Sequence, residues 1–464
     1  MNQFKARLKL IHLIGVGGSG MSGIAEVLHN LGYKVSGSDL LESEVTKRLS
    51  SIGIKVNIGH SKKNVNKSDL IVISSAIKST NEELVYAKNQ NIPIIGRAEM
   101  LSGLMNLKYG IAVAGTHGKT TTTSILASIF TEAKLDPTFI IGGIVNSYDT
   151  SAKLGQGKYL IVEADESDQS FLELQPSASI LTNIEADHLV NYGNNMDSLN
   201  KAFIKFVKKL PFDGLLVAFG DDPIIKKLLP NFSRTTVTYG YNLDNTYVIN
   251  EHGKSNHLSN FSLSKQGKKV FSSGLKQLGR HNTLNAVAAT IMSLEEGIDI
   301  EIIKSALENF DGVKRRMEIK GNLNIGKSMI RLIDDYGHHP TEVDQIINTV
   351  RKHWPSKKIT MIFQPHRYTR TKEMFEEFSD VLSKVDILLL MDIYSAGEEK
   401  IAGITSKALA DSITSRKSNK VYLVRSNDDA IESLIHLDLD GSVLITQGAG
   451  DISILTNLLS KEYG

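Results

Sequence analysis

Cysteine does not occur in this 464-residue chain. Its absence removes disulfides, thiolate metal sites and cysteine nucleophiles together, so any metal has to be held by oxygen or imidazole. Neither sign of charge is in excess: 53 Lys and Arg stand against 51 Asp and Glu, a formal net charge of +2. So close a balance supplies no broad field for nucleic acid or an anionic membrane, and no basic track runs through the sequence. Long apolar runs are missing as well. No window approaches the roughly 20 apolar residues that span a bilayer. The leading "MNQFKARLKLIHLIGVGGSG" is basic and then briefly apolar, broken by glycines and without a small-residue cleavage site. It reads as a first strand, and the chain is expected in the cytoplasm with no membrane or nucleic-acid partner. Low-complexity tracts and short repeats are also absent, which excludes solenoid architectures.

What the chain does contain is an alternation of short β-branched runs with amphipathic helical stretches, the pattern of helices layered on parallel sheets. Its length suits roughly three domains of about 150 residues each. A first block runs from "LKLIHLIGVGG" through "YKVSGSD" and "LIVISSAI" to a boundary near Leu107. A second opens at "YGIAVAGT", includes "KYLIVEADESD" and "SASILTNIEADH", and closes after "LGRHNTLNAVAATIMSLEEG" and one further helix. Within it, the polar stretch between Asn242 and Lys269 has no helical period and reads as a small antiparallel insertion. The third block starts near "VKRRMEIKG", with strands expected in "SMIRLIDD", "KITMIFQPHR", "VDILLLMDIYSAG", "KVYLV" and "SVLITQGAGD".

The stretch "IAVAGTHGKTTTTSIL", Ile111 to Leu126, passes from an apolar strand through two glycines and a lysine into a threonine-rich helix. Gly115 and Gly118 let the backbone turn so that N–H groups across Thr116 and His117 converge on phosphate oxygens, and the helix N-terminus faces the same anion. Lys119 then meets the terminal phosphates, and Thr120, followed by Thr121, offers a hydroxyl suited to Mg2+. Val113 stands where the usual spacing has glycine, so this is a variant P-loop. "YLIVE" ends a strand at Glu163, and "SILTNIEADH" is expected to end another near His188. Ligands gather at the carboxyl ends of parallel strands, which makes Glu163 a partner for a magnesium shared with Thr120 and His188 a candidate at a second metal. Asp165, Glu166, Glu185 and Asp187 are nearby acids that spacing alone leaves open.

A second anion cradle lies at the N-terminus. "GVGGSG" fits G-x-G-x-x-G between a strand and a helix, with Gly17, Gly18, Ser19 and Gly20 at its centre and Asp39 ending the next strand. Such a motif in isolation reads as a nicotinamide dinucleotide site and an oxidoreductase. Beside a separate triphosphate loop it points instead to a diphosphate-bearing substrate activated by ATP. Further along, Asn282 and Asn285 fall three apart on one helical face, spaced to meet a purine or its ribose, although asparagines near a helix start also serve as caps. "IDDYGHHP" and "FQPHRYTR" place Asp335, His338, His339, His366, Arg367 and Arg370 at the ends of what read as adjacent strands, and paired arginines suit a carboxylate. Tyr336 and Tyr368 are expected to shape the same pocket.

With "GTHGKTTT", "EADESDQSFLELQP", "TNIEADH", "GRHNTLNA", "DDYGHHPTE" and "FQPHRYTR" in this order, the chain resembles the Mur ligase family over essentially its whole length. The resemblance implies an α/β protein of three domains: an N-terminal Rossmann-like domain over 1–107 for the UDP-sugar, a central P-loop-type mononucleotide-binding domain over 108–313 for ATP, and a C-terminal Rossmann-like α/β domain over 314–464 for the amino acid. It implies a ligase that joins L-alanine to the lactyl carboxylate of UDP-N-acetylmuramate through an acyl phosphate, with ATP and Mg2+, as a monomer or weak homodimer. The nearest alternative within the family attaches a preformed peptide to the same sugar nucleotide. Carried over by position, Gly115 to Thr121, Asn282 and Asn285 hold ATP, with Asp335 at its ribose. Lys119 and Arg316 reach the reacting phosphates; Thr120, Glu163 and His188 hold metal. Gly17 to Gly20 and Asp39 take the UDP-sugar, and His366, Arg367 and Arg370 take the amino acid. Sister ligases position magnesium with a carbamylated lysine, a role for which Lys201 has no convincing match.

Overall fold

The computed structural model describes residues 8–74, 76–148, 150–255, 258–416 and 420–464, apart from the side chains of residues 19, 254 and 255. They divide into two compact units, one of residues 1–276 with 282–313 and one of residues 277–281 with 314–464. Among the described residues, no helix is long and apolar enough to cross a membrane.

The first unit contains two sheets. Five parallel strands form the first, in the spatial order Lys55–Ile58, Lys34–Asp39, Leu10–Ile14, Leu70–Ile73, Ile94–Gly96. The order reverses at Leu10–Ile14, and the glycine loop that follows this strand therefore opens where ligands settle on such sheets. Helix Arg97–Met105 closes the layer, and Leu107 falls between it and the strand Tyr109–Ala114.

Ten strands form the second sheet. Tyr109–Ala114 lies near its middle, flanked by the parallel strands Tyr159–Glu163 and Ala178–Leu181. The strand in "SILTNIEADH" stops at Leu181 rather than near His188. Beyond Leu181 the chain leaves the ladder, and Thr182, Asn183 and Glu185 bond instead to Thr116 and His117 on the loop after Tyr109–Ala114. The insertion is an antiparallel meander, as its sequence suggests: Tyr247–Ser255, Leu258–Lys265 and Lys268–Leu275 extend one edge of the sheet.

Helix Lys119–Glu132 is buried from Thr120 to Phe130 despite its run of hydroxyls. Thr123 Oγ1 donates to Lys119 O at 2.8 Å and Ser124 Oγ to Thr120 O at 2.7 Å, so polar groups inside the layer satisfy the helix's own carbonyls.

The second unit holds a six-stranded sheet in the order Glu318–Ile325, Ser328–Asp335, Ser442–Gln447, Lys358–Phe363, Ile387–Met391, Lys420–Val424. Two features depart from the sequence reading. Glu318–Ile325 is an additional strand, antiparallel to Ser328–Asp335. The strands that end at Asp335 and before His366 are not adjacent, because the C-terminal strand Ser442–Gln447 inserts between them and pairs with both. Strand order is decided by which faces pack, and local pattern does not encode it.

Candidate active site

The loop between Tyr109–Ala114 and Lys119–Glu132 is built by glycines at positions where a side chain would be strained. Gly115 has φ +131° and lies against Thr182 and Asn183; Gly118 has φ +82° and lies against the amide of Asn285. A side chain at either position would meet both left-handed strain and a fixed neighbour. Gly118 caps helix Lys119–Glu132 with no side-chain acceptor on its first amides, which leaves that end of the helix open to an anion.

The loop is pinned from one side by the segment after Ala178–Leu181. Asn183 Oδ1 accepts from the His117 amide at 2.8 Å, and Asn183 Nδ2 and Thr182 Oγ1 donate to His117 O at 3.0 and 2.6 Å. The Glu185 amide donates to Thr116 Oγ1 at 2.9 Å, and the His117 ring stands 3.5 Å from the Glu185 carboxylate.

Lys119 folds back over this loop. Its ammonium donates to Gly115 O at 2.6 Å, Thr116 O at 3.0 Å and Glu166 Oε2 at 2.6 Å. Burial alone would lower the Lys119 pKa, but the carboxylates of Glu166, Asp165 and Glu163 outweigh it and hold the ammonium above its ordinary value. Lys119 is therefore cationic at every working pH, in a place where charge is weakly screened. One helical position on, Thr120 Oγ1 lies 2.9 and 3.1 Å from the two oxygens of Glu163, and Glu163 Oε2 accepts from the Gly142 amide at 2.7 Å. A hydroxyl beside a carboxylate is a hard-oxygen donor pair of the kind that suits Mg2+.

Asn285 is buried beside Gly118, and Asn282 is buried one turn earlier on helix Arg280–Glu295. Thr121 is buried in the first turn after Lys119. His188 stands on the loop after Ala178–Leu181 with φ +54°, its Nε2 3.4 Å from Asp187 Oδ2. Lys201 is an exposed residue of helix Met196–Lys208.

In the leading cradle, the Gly15 and Val16 amides donate to Ser38 O at 2.8 and 3.0 Å, and Gly17 donates to Asp39 Oδ2 at 2.8 Å. Asp39 thus braces the loop from beneath. Gly18 and Gly20 flank the start of helix Ser19–Asn30, while the Ser19 side chain lies outside the described residues. Arg97 joins the two cradles, a role sequence reasoning missed. Its Nη2 lies 3.3 Å from Asp165 Oδ2 and 3.4 Å from Ser170 Oγ, and its Nη1 lies 2.6 Å from where a Gly20 Cβ would stand. Burial would raise the Asp165 carboxyl, but Lys119 and Arg97 prevail and hold it at about 2. Nothing local marks Arg97, because its partners are 68 and 73 residues away. Gly142 and Gly143 were missed too, although paired glycines inside a strand signal a close approach.

The second unit gathers its own cluster. Burial pushes the Asp335 carboxyl up to about 7, opposed by Arg316 and by the Met317 and Gly337 amides. Those amides donate to it at 2.8 and 2.7 Å, and Gln447 Nε2 donates at 3.1 Å, so the carboxylate is already enclosed by its own unit. Arg315 and Arg316 lie 5.3 and 5.2 Å from the Tyr336 ring, and Arg316 lies 3.7 Å from Glu342. His366 stacks on Tyr394 at 5.4 Å and faces His338 at 5.7 Å. Arg370 is buried with Nη1 3.4 Å from His366 Nδ1, whereas Arg367 is exposed and pairs with Glu398 at 3.8 Å. The two arginines thus occupy different environments instead of forming one clasp. His339 caps helix Pro340–His353 and Tyr368 is buried.

Burial, with Arg370 adding, holds the His338 and His366 imidazoles down to about 3 and about 4. Both are neutral at pH 7. Below pH ~6.5 the unfolded chain binds protons at these positions that the folded chain does not, so this pair withdraws stability as pH falls from there toward 4. NMR titration of the imidazole carbons should show both midpoints well below 6.5; an ordinary midpoint for either would contradict the packing described.

Three family models match consecutive parts of the chain. They are "Mur ligase family, catalytic domain" over residues 10–109, "Mur ligase middle domain" over 113–293, and "Mur ligase, glutamate ligase domain" over 315–450. Among solved structures, the chain is similar to a UDP-N-acetylmuramate-alanine ligase from Thermotoga maritima, with 31% identity, 98% of each chain covered and a TM-score of 0.83. It is also similar to a murein peptide ligase from Psychrobacter arcticus, at 23% identity, 98% of each chain and a TM-score of 0.72. A third is a UDP-N-acetylmuramate:L-alanyl-gamma-D-glutamyl-meso-diaminopimelate ligase from Neisseria meningitidis, at 28% identity over 66% of this chain and 100% of that one, with a TM-score of 0.61.

Proposed function

Because this chain belongs to the Mur ligase family, we propose that it joins L-alanine to the lactyl carboxylate of UDP-N-acetylmuramate at the expense of ATP, in the cytoplasm, as a monomer or weak homodimer. The observation that carries the reading is the pairing of Lys119 and Thr120–Glu163 at an open helix start with a second glycine cradle in the same compact unit. Two cradles suit two phosphorylated compounds, one spent and one activated. We assign the sugar nucleotide to residues 1–107, ATP to 108–313 and the amino acid to 314–464.

In this reading, Gly17 to Gly20 hold the diphosphate, with Asp39 fixing the loop. Gly115 to His117 shape the loop, the open amides from Gly118 to Thr121 and the Lys119 ammonium hold the triphosphate, and Asn282 and Asn285 face its nucleoside and Asp335 its ribose. Thr120 and Glu163 would hold magnesium, with His188 at a second position, and the metal would supply positive charge to the phosphates. The lactyl carboxylate oxygen forms a bond to the γ-phosphorus as the bond to the β-phosphate oxygen breaks, giving an acyl phosphate and ADP. Lys119 and Arg316 neutralise charge that grows on the transferred group. The neutral amine of L-alanine, oriented through its carboxylate by Arg370 beside His366, with Arg367 at the rim, then attacks the carbonyl. Phosphate leaves and the nitrogen loses a proton.

Phosphate release from ATP tests this directly. With UDP-N-acetylmuramate present, release should be fastest with L-alanine, slower by about 10- to 200-fold with glycine or L-serine, and lowest with the tripeptide L-alanyl-γ-D-glutamyl-meso-diaminopimelate. Release driven by the tripeptide in preference to L-alanine would transfer the assignment to the peptide-adding branch. Release that ignores the sugar nucleotide would contradict the order of steps.

A further inference from the structure

Behind the leading cradle, one buried carboxylate ties together segments that are far apart in sequence. Glu83, near the start of helix Glu82–Asn89, is 0% exposed. Its Oε2 accepts from Ser38 Oγ at 2.5 Å and His60 Nδ1 at 3.0 Å; its Oε1 accepts from Asn64 Nδ2 at 2.6 Å and the Ser61 amide at 3.2 Å. His12, fully buried on the central strand, stands with Nε2 3.8 Å from the same carboxylate and Nδ1 2.8 Å from Ser36 Oγ. Burial by itself would raise this carboxyl, yet the nearby His12 ring and the hydrogen bonds from Ser38 and Asn64 hold it at about 2.

For stability alone, well-packed apolar side chains serve such a position at least as well as a buried ionic cluster. What the cluster does supply is a fixed geometry one residue behind the cradle. Ser38 bonds Glu83 through its hydroxyl while its carbonyl receives the Gly15 and Val16 amides. Its neighbour Asp39 receives the Gly17 amide on its side chain and the Gly59 amide, at 2.7 Å, on its carbonyl. Gly59 in turn leads directly into His60, which Glu83 also holds.

We propose that Glu83 is a positioning residue for the sugar-nucleotide cradle: by fixing Ser38 and His60 it sets the glycine loop and Asp39 in the arrangement that receives the diphosphate. Glu83 touches no substrate and acts through these two residues. The inference rests on the reading that this cradle holds a UDP-sugar.

The test compares the unaltered enzyme with Glu83→Gln and Ser38→Ala, using UDP binding by calorimetry together with steady-state kinetics. Hydrogen bonds to a charged group are strong enough that loss of the tie should weaken UDP binding, and raise KM for UDP-N-acetylmuramate, by about tenfold in each variant. The kcat at saturation and KM for ATP should stay within about twofold, which a general loss of structure would not allow. If Glu83→Gln does not fold, Ser38→Ala, which keeps the backbone anchors, decides. Unchanged UDP affinity in a folded variant, or a parallel loss in kcat and in KM for ATP, overturns the proposal. An unaltered enzyme that does not bind UDP at all defeats the underlying reading of the cradle instead.

Discussion

Lys119→Ala should lower kcat by at least about 100- to 1000-fold, the cost of removing one preorganised charge that stabilises a transition state. The size of the effect comes from where the ammonium sits. It is nearly buried, bonded to two loop carbonyls and paired with a carboxylate 2.6 Å away, so little solvent is available to substitute for it. The same substitution removes the cation that opposes burial at Glu166, whose carboxyl burial already pushes up to about 7, so Glu166 has to take up a proton to stay inside and the fold is destabilised separately from the chemistry. The two consequences can be separated. Lys119→Ala combined with Glu166→Gln should recover much of the lost unfolding free energy while leaving turnover at the level of the single variant. Near-normal turnover in Lys119→Ala would remove the triphosphate from this loop.

Much of this arrangement is legible in the sequence because its causes are local. A strand that ends in two glycines, a lysine and hydroxyl residues dictates its own loop. "YLIVE" places Glu163 at a strand end by periodicity alone, and the structure brings it to Thr120. The rest depends on packing between segments. His188 looked like a strand terminus, but Thr182 and Asn183 turn away to pin His117, and the strand stops at Leu181. Asp39 has the spacing of a ribose ligand, yet its carboxylate braces Gly17. Asp335 and His366 looked like neighbours until Ser442–Gln447, more than 70 residues farther along, paired between their strands. Arg97 and Glu83 carry no motif at all. Their partners are set by the way helices cover the first sheet, which a one-dimensional pattern does not contain.

The second large effect is expected at Glu163. Glutamine in its place keeps the shape and can still offer one oxygen, but it removes the negative charge that gives the hydroxyl–carboxylate pair its affinity for a divalent cation. The Mg2+ concentration for half-maximal rate should rise by at least about tenfold, with kcat at saturating Mg2+ down by about 100-fold. A glycine provides an independent route to the same atoms. A Cβ on Gly142 would stand 2.7 Å from Glu163 Oε2, on the side where the Gly142 amide now holds that oxygen. Gly142→Ala should therefore displace the carboxylate without removing its charge. Its Mg2+ requirement should shift in the same direction as that of Glu163→Gln, but excess Mg2+ should restore most of kcat, because a displaced carboxylate can be drawn back and an absent one cannot. A Mg2+ dependence matching the unaltered enzyme in both variants would place the metal elsewhere, and the acids of the following loop, Asp165 and Glu166, would then have to supply it. Their present engagement with Arg97 and Lys119 argues against that alternative, since a carboxylate already neutralised by a partly buried cation attracts a second one less.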